Sequence, residues 1–439
     1  MVVKKNEIVI GTCVDYSNQG FGMVKIEGFC IFVKNLMKGE KAKIKVTALK
    51  KNYGYGIINE LLVSSHNRAL EKCGIASICG GCQLQHMDYE EQLAFKQTII
   101  EKLLERNQIE TTLHPIIEAK EQYRYRNKVQ VPFGFDSKGE FCYGFYRNHS
   151  NEIITFSDCF VQSEESNQIL KEIYEHLKYN PGNNELRHVL LKQMRGTQEI
   201  MVVFIARTYI IGLDELVTIL VEKYPNIKSC ILNINTRNDN VILGEKEVLL
   251  YGQNYVKDVL LGKSFLLSAK SFYQINSQQT EVLYQKVLSF ANIQKDDTVL
   301  DLYGGIGTIG ILASDYAKKV ISVEVVAEAI KNGKENAILN QVTNMEFFHG
   351  DVKDFVNECH EKVDIIVVDP PRKGIDAETI KAMIEIEPEK IVYVSCDPNT
   401  LVRDLKLLIK EYEIREIQPM DLFPLTIHTE VIVLLQREK

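Results

Sequence analysis

The stretch TVLDLYGGIGTIG, residues 298–310, decides how the second half of this chain is read. It opens as an apolar run broken by one acid, Asp301, as expected of a strand buried on both faces of a parallel sheet. It continues as a glycine-rich turn into a helix-forming segment. Gly305, Gly307 and Gly310 match G-x-G-x-x-G, and such glycines let the backbone turn sharply and approach a ligand at a helix N-terminus. Glu324 closes the next apolar run, placed to accept hydrogen bonds from ribose hydroxyls. These features suit a dinucleotide and S-adenosylmethionine about equally. Asp301 shifts the balance, because a carboxylate at the strand end suits a cationic amino-acid ligand better than a pyrophosphate.

Working outward, the same rhythm runs from about residue 270 to the end: KVISVEV, MEFFHGD, VDIIVVDPP, KIVYVSC, IREIQPMDLF and VIVLLQ alternate with helical segments. Such runs predict an α/β fold with a mostly parallel, doubly wound sheet, whose ligands collect outside the carboxyl ends of the strands. At those ends lie VVDPPRKG (367–374), with Asp369 and Arg372, and IVYVSCDPNT (391–400), with Cys396. Enzymes that methylate exocyclic amines of adenine or cytosine usually have an aromatic residue where Arg372 stands, which weakens an amine reading. Asn399 or Thr400 is expected to cap the following helix, whose dipole would favour a Cys396 thiolate. PLTIHTEVIVLL (424–435) brings His428 and Glu430 to the mouth of the last strand, so one crevice holds a nucleophile and a base.

The chain has 439 residues, too many for one core, with 45% hydrophobic and 25% charged residues, as in ordinary globular proteins. No run is long and apolar enough to span a membrane, and the start lacks a secretory apolar core, so a cytoplasmic protein is expected. The sequence sets no oligomeric state; a monomer is the simplest expectation. A net charge of −7 argues against indiscriminate nucleic-acid binding, yet residues 1–62 carry ten lysines against five acids. Those residues alternate apolar and polar positions between glycine turns, predicting a five-stranded, OB-like barrel. Residues 63–268 form a β-rich central domain, with an amphipathic helix near Tyr89–Arg106 and helices near 163–178 and 212–224. Residues 269–439 form the sheet domain.

CGIASICGGCQLQH (73–86) places Cys73, Cys79 and Cys82 within ten residues, a soft-metal pattern in a chain of this kind. Spacing leaves zinc and iron–sulfur open, with His86 a competing ligand. Cys13, Cys30, Cys142, Cys230 and Cys359 read as packing. YRYRNKVQV (123–131) interleaves Tyr123 and Tyr125 with Arg124, Arg126 and Lys128, a pattern that suits stacking on bases and contact with phosphates.

FYQINSQQTEVLY (272–284), DLYGGIGTIG, VEVVAEAIKNGKENAILN (323–340), DPPRKG, SCDPNTLVRDL (395–405) and HTEVIVLL (428–435) together resemble the RNA (uracil-5-)-methyltransferases. The N-terminal barrel is similar to their TRAM domain. GFYRNHSNEIITFSDCFVQ (144–162) and the early cysteines fit the branch that holds an iron–sulfur cluster. Gly304 departs from the cysteine the family often has there. The resemblance implies a class I S-adenosylmethionine-dependent, Rossmann-like methyltransferase domain. It further implies Cys396 as nucleophile, Glu430 as general base, and cofactor contacts at Gln274, Tyr303, Gly305, Glu324 and Asp369. For the metal it implies a [4Fe–4S] cluster on Cys73, Cys79, Cys82 and Cys159. The implied substrate is uridine in RNA, 23S ribosomal RNA ahead of tRNA, extruded to reach the crevice. Cytosine-C5 RNA enzymes use a second cysteine that DPPRKG lacks. A non-catalytic metal-containing RNA-binding protein and an NAD-dependent oxidoreductase are the rival readings.

Overall fold

A computed structural model of the chain describes residues 3–148, 150–358 and 361–438; Cys359 lies outside the described residues. The chain opens with β1 (Ile8–Tyr16), β2 (Gly22–Ile26), β3 (Phe29–Val33), β4 (Lys41–Leu49) and β5 (Tyr53–Val63). They close into a barrel in the order β1-β2-β3-β5-β4. Val24, Ile31, Val33, Ile44 and Val46 fill its interior, alternating with outward lysines such as Lys25 and Lys45. Gly56 sits against this interior, where a Cβ would come within 2.5 Å of Ile44 Cγ2.

After an irregular cysteine-bearing loop come α1 (Tyr89–Arg106) and β6 (Thr112–Leu113). Asp88 caps α1 by accepting from Glu91 N at 2.8 Å. The helix spans the residues its apolar spacing predicts, but it packs on the C-terminal sheet. Ile100, Leu103 and Leu104 join the core of that sheet, and β6 extends its edge. A contiguous central domain over residues 63–268 therefore takes in a segment, α1 and β6, that physically completes the C-terminal one.

The central sheet contains β7 (Lys128–Phe135), β8 (Phe141–Tyr146), β9 (Ile153–Thr155), β10 (Leu186–Gln193), β11 (Ile200–Ala206), β12 (Ile227–Ile234) and β13 (Lys246–Gly252). Helices α2 (Glu164–Leu177) and α3 (Leu213–Lys223) cover it with one apolar face each. The hairpin β14 (Tyr255–Leu260) and β15 (Lys263–Ser268) packs its buried side, including Phe265 and Leu267, into the core of the sheet that follows.

That sheet contains β16 (Thr298–Leu302), β17 (Lys319–Glu324), β18 (Met345–His349), β19 (Ile365–Val368), β20 (Lys390–Ser395), β21 (Tyr412–Met420) and β22 (Glu430–Arg437). The helices among them are α4 (Ser277–Ala291), α5 (Thr308–Ala313), α6 (Ala327–Leu339), α7 (Val352–Glu358), α8 (Ala377–Glu385) and α9 (Pro398–Leu408). The strand order is β18-β17-β16-β19-β20-β22-β21-β6. The first five are parallel and β22 is antiparallel to β20. The chain moves one way from β16 through β17 to β18, then returns to the other side of β16 with β19. The switch point therefore lies between β16 and β19, where the glycine-rich turn and Asp369 emerge.

Candidate active site

Strand register gathers the candidate residues. Leu302 pairs with Val368, so the turn after β16 lies beside Asp369. Val368 pairs with Tyr393, three residues before Cys396. Ser395 pairs with Val431 across the antiparallel β20–β22 boundary, which sets Cys396 opposite Glu430. Only the antiparallel direction of β22 allows this, since it brings a strand's start to the edge where the others end.

Gln274, in the segment before α4, is buried and donates to Asp369 Oδ2 at 3.1 Å. Glu324 accepts from Gly305 N at 3.1 Å and from Val326 N at 2.8 Å, tying the glycine turn to the end of β17. Tyr303 leaves β16 with a left-handed φ of 59°, its ring half-buried. Asp301 is turned inward. It is buried and accepts from Gly310 N and Ser322 Oγ, so it pins the turn from inside. Gly304 is constrained too, because a Cβ there would come within 2.0 Å of Ser322 Oγ.

The crevice is short of positive charge. Burial pushes the Asp301 and Asp369 carboxyls up to about 7. Burial, then the Asp369 carboxylate, raises Glu430 well above the usual carboxyl range, while the Arg372 guanidinium opposes. The Cys396 thiol is pushed up to about 12, by burial first and then by Glu430 and Asp369. The expected helix dipole does not prevail. Nor do Asn399 and Thr400 cap α9; Asp397 does, accepting from Asn399 N at 2.9 Å with Pro398 in the first turn. Burial and Arg372 push His428 down to about 4, so it is neutral at pH 7 and its Nε2 accepts from Arg372 Nη2 at 3.4 Å.

The segment that delivers Glu430 rests on a buried ion pair that sequence reasoning missed. Lys96 Nζ lies 2.5 Å from Asp421 Oδ1, both fully buried, and also donates to Phe423 O at 3.1 Å. Tyr89 donates to the other Asp421 oxygen at 3.0 Å. The available signal was a lysine inside the apolar stripe of α1, four residues before Ile100.

Cys73, Cys79 and Cys82 meet Cys159, from the loop before α2, around one cavity of about 230 Å³. Arg126 also lines it, with a buried Nε that has no hydrogen-bond partner. Among the described residues no three His, Cys, Asp or Glu side chains converge on a single metal ion. His86 is buried and is not among the lining residues; burial pushes it down to about 4. The basic-aromatic stretch is half-buried and keeps its central side chains inside the protein. Tyr125 is buried and donates to Pro424 O at 3.1 Å, and Arg124 is held by Asp158 and two carbonyls. Neither is free to meet RNA. Among the other cysteines, Cys13, Cys142 and Cys230 are buried and Cys30 is half-buried.

A glycine-rich turn at the switch point and an acid closing the second strand form a nucleoside-binding site of a doubly wound sheet, and the similarity to known proteins makes that sheet an S-adenosylmethionine-dependent methyltransferase domain. The tRNA (Uracil-5-)-methyltransferase family matches residues 88–438, and the TRAM domain matches residues 14–58. A Bacillus cereus protein described as an uncharacterized RNA methyltransferase is 40% identical over 450 residues, covering 99% of this chain and 98% of that protein. A similarly described protein of Oceanobacillus iheyensis is 41% identical over 448 residues, covering 98% and 96%. Among solved structures, the Pyrococcus abyssi tRNA (uracil-54, C5)-methyltransferase in complex with S-adenosyl-L-homocysteine has a TM-score of 0.77 at 26% identity. That alignment covers 97% of this chain and 100% of that one. The chain belongs to the tRNA (uracil-5-)-methyltransferase family: it is an RNA methyltransferase that uses S-adenosylmethionine, and its N-terminal barrel is a TRAM domain. Membership displaces the NAD-dependent and non-catalytic readings. Among the described residues no helix is long and apolar enough to cross a membrane.

Proposed function

We propose that this enzyme methylates C5 of a uridine in structured RNA, with Cys396 as nucleophile and Glu430 as general base. The observation that carries the reading is the register that sets these two side chains opposite each other, beside Asp369. Gln274, Tyr303, Gly305, Glu324 and Asp369 would hold the donor, and a crevice with an excess of carboxylates suits its cationic sulfonium. The donor supplies an electrophilic methyl group. Uracil C5 alone is a poor nucleophile; addition of the Cys396 thiolate to C6 makes C5 enolate-like and able to take that methyl. Glu430 then accepts the C5 proton, and cleavage of the C6–S bond regenerates the thiolate. The raised proton affinity of Glu430 suits an acceptor, and a bound cation would offset the carboxylate field on Cys396.

The test is tritium release from RNA carrying 5-tritiated uridine. Release by the wild type and none by Cys396→Ala supports the assignment, and unchanged release by the variant refutes it. Glu430→Gln should accumulate a methylated, covalent RNA–protein adduct on a denaturing gel.

The N-terminal barrel and cysteine set favour 23S ribosomal RNA as substrate. The Pyrococcus abyssi structure favours a second reading, a tRNA, because that tRNA enzyme aligns with this chain from end to end. Mass-spectrometric mapping of modified nucleotides with and without the gene separates the two. For the four cysteines we favour a [4Fe–4S] cluster. Their cavity is roomier than a single tetrahedral ion needs at ~2.3 Å from each sulfur, and Arg126 would offset the charge of four thiolates. Such a cluster would hold the β5–α1 loop against the loop before α2. A colourless protein with stoichiometric zinc under anaerobic purification would overturn this assignment.

A further inference from the structure

The outward face of the barrel over β2, β3 and β5 is aromatic where a solvated sheet face is ordinarily polar. The register aligns Met23, Phe32 and Tyr55 in one row across these strands, and Lys25, Cys30 and Tyr53 in the next. Phe21 lies 6.4 Å from Tyr55, Tyr55 lies 5.6 Å from Tyr53, and Phe32 lies within 6.0 Å of both tyrosines, centroid to centroid. All four rings are half-exposed. Around them Lys25, Lys45, Lys50 and Lys51 are exposed. In the interior, Val24, Ile31, Val33, Ile44 and Val46 already fill the barrel, so its core does not require these rings.

The face is continuous with the candidate active site. Gly20, in the β1–β2 turn, lies so close to Ile427 that a Cβ would come within 3.1 Å of Ile427 Cγ2. Asn18, in the same turn, lies 3.5 Å from Asn399, three residues after Cys396. Phe21 follows this turn directly. The aromatic row, with rings about 6 Å apart, therefore starts at the rim of the crevice and runs away from it along the barrel.

We propose that Phe21, Phe32, Tyr53 and Tyr55 form a stacking platform for unpaired bases of the RNA strand flanking the target uridine, with the surrounding lysines meeting its phosphates. This rests on the RNA-uridine reading above. It replaces the Tyr123–Lys128 stretch, whose Tyr125 is buried and whose Arg124 is held by Asp158, as the basic-aromatic surface, and it restricts the substrate to RNA that is single-stranded beside the modified residue. Every base has a π-face, so the platform is indifferent to sequence; selection is for unpaired geometry.

The test compares wild type with Phe32→Leu/Tyr55→Leu by fluorescence anisotropy, using a labelled uridine-bearing stem–loop with single-stranded or duplexed flanks. The double variant should bind the single-stranded form about ten- to a hundredfold more weakly and leave duplex-flank binding unchanged. Equal affinity for the single-stranded form, or equal losses on both forms, would overturn the proposal. Should the variant melt early, wild-type protein photocrosslinked to flanks bearing 4-thiouridine decides. Adducts on peptides holding Phe32 or Tyr53 and Tyr55 support the platform; adducts confined to residues 269–438 refute it. Wild-type tritium release is run alongside. Its absence refutes the uridine chemistry while the binding arms still judge the platform.

Discussion

Glu430→Gln should make Cys396 more reactive in the free enzyme while abolishing turnover. The carboxylate stands opposite the thiol across the β20–β22 boundary and is the second cause, after burial, of a thiol pKa of about 12. For a separation of ~6 Å and an effective dielectric of ~20, the repulsion between thiolate and carboxylate is about 2.8 kcal/mol, roughly two pKa units. Glutamine keeps the shape and removes the charge. The comparison belongs at an alkaline pH of about 9.5, because Glu430, held well above the usual carboxyl range, repels the thiolate only once its own proton has left. Lowering the thiol pKa from about 12 to ~10 there raises the thiolate fraction roughly 75-fold. The less basic thiolate is also a weaker nucleophile, with a Brønsted coefficient of ~0.4–0.5, which returns a factor of about eight. The net expectation is a roughly tenfold faster reaction of Cys396 with iodoacetamide, followed by mass spectrometry of the Cys396 peptide. An unchanged or slower rate would show that Glu430 does not face the thiol, and the pairing of nucleophile and base would fail with it.

Three further outcomes follow from the same geometry. Asp369 has a folded pKa of about 7 against 3.8 for an ordinary aspartate, so the folded protein binds the extra proton and loses stability as pH rises through that interval. Asp369→Asn should therefore raise the melting temperature at a pH of about 8.5 and leave it nearly unchanged at a pH of about 3, with a ceiling on the order of 4 kcal/mol from the roughly three-unit shift; an equal effect at both values refutes the burial argument. Lys96→Met strands the buried Asp421 carboxylate and should cost about 3–5 kcal/mol in urea unfolding, with Lys96→Met/Asp421→Leu recovering much of it. Gly304→Cys, which installs the residue common in the family, should collide with Ser322 Oγ and cost about 1–3 kcal/mol; Ser322→Ala should relieve it in a double-mutant cycle, and additivity would exclude the clash.

Local chemistry was legible in the sequence because it repeats at short range. Alternation in residues 8–63 specified the barrel strands, apolar runs ending in acids or a thiol specified β16, β17, β19 and β20, and the spacing of α1 set its bounds. The basic-aromatic stretch at 123–131 misled for the same reason: composition looks identical on a solvated strand and on a half-buried one whose Tyr125 donates to Pro424 O.

What the sequence by itself determined was the class of fold, the family motifs and the residues carried to the ends of the strands. Long-range pairing decided the rest. The direction of β22 set Glu430 opposite Cys396, α1 joined a sheet more than 190 residues away in the chain, and four cysteines from two loops met around one cavity. Charge was decided last of all. Whether Cys396 or Asp369 is ionised depends on how much water and how many carboxylates surround it, and those are fixed only when the sheet closes over them.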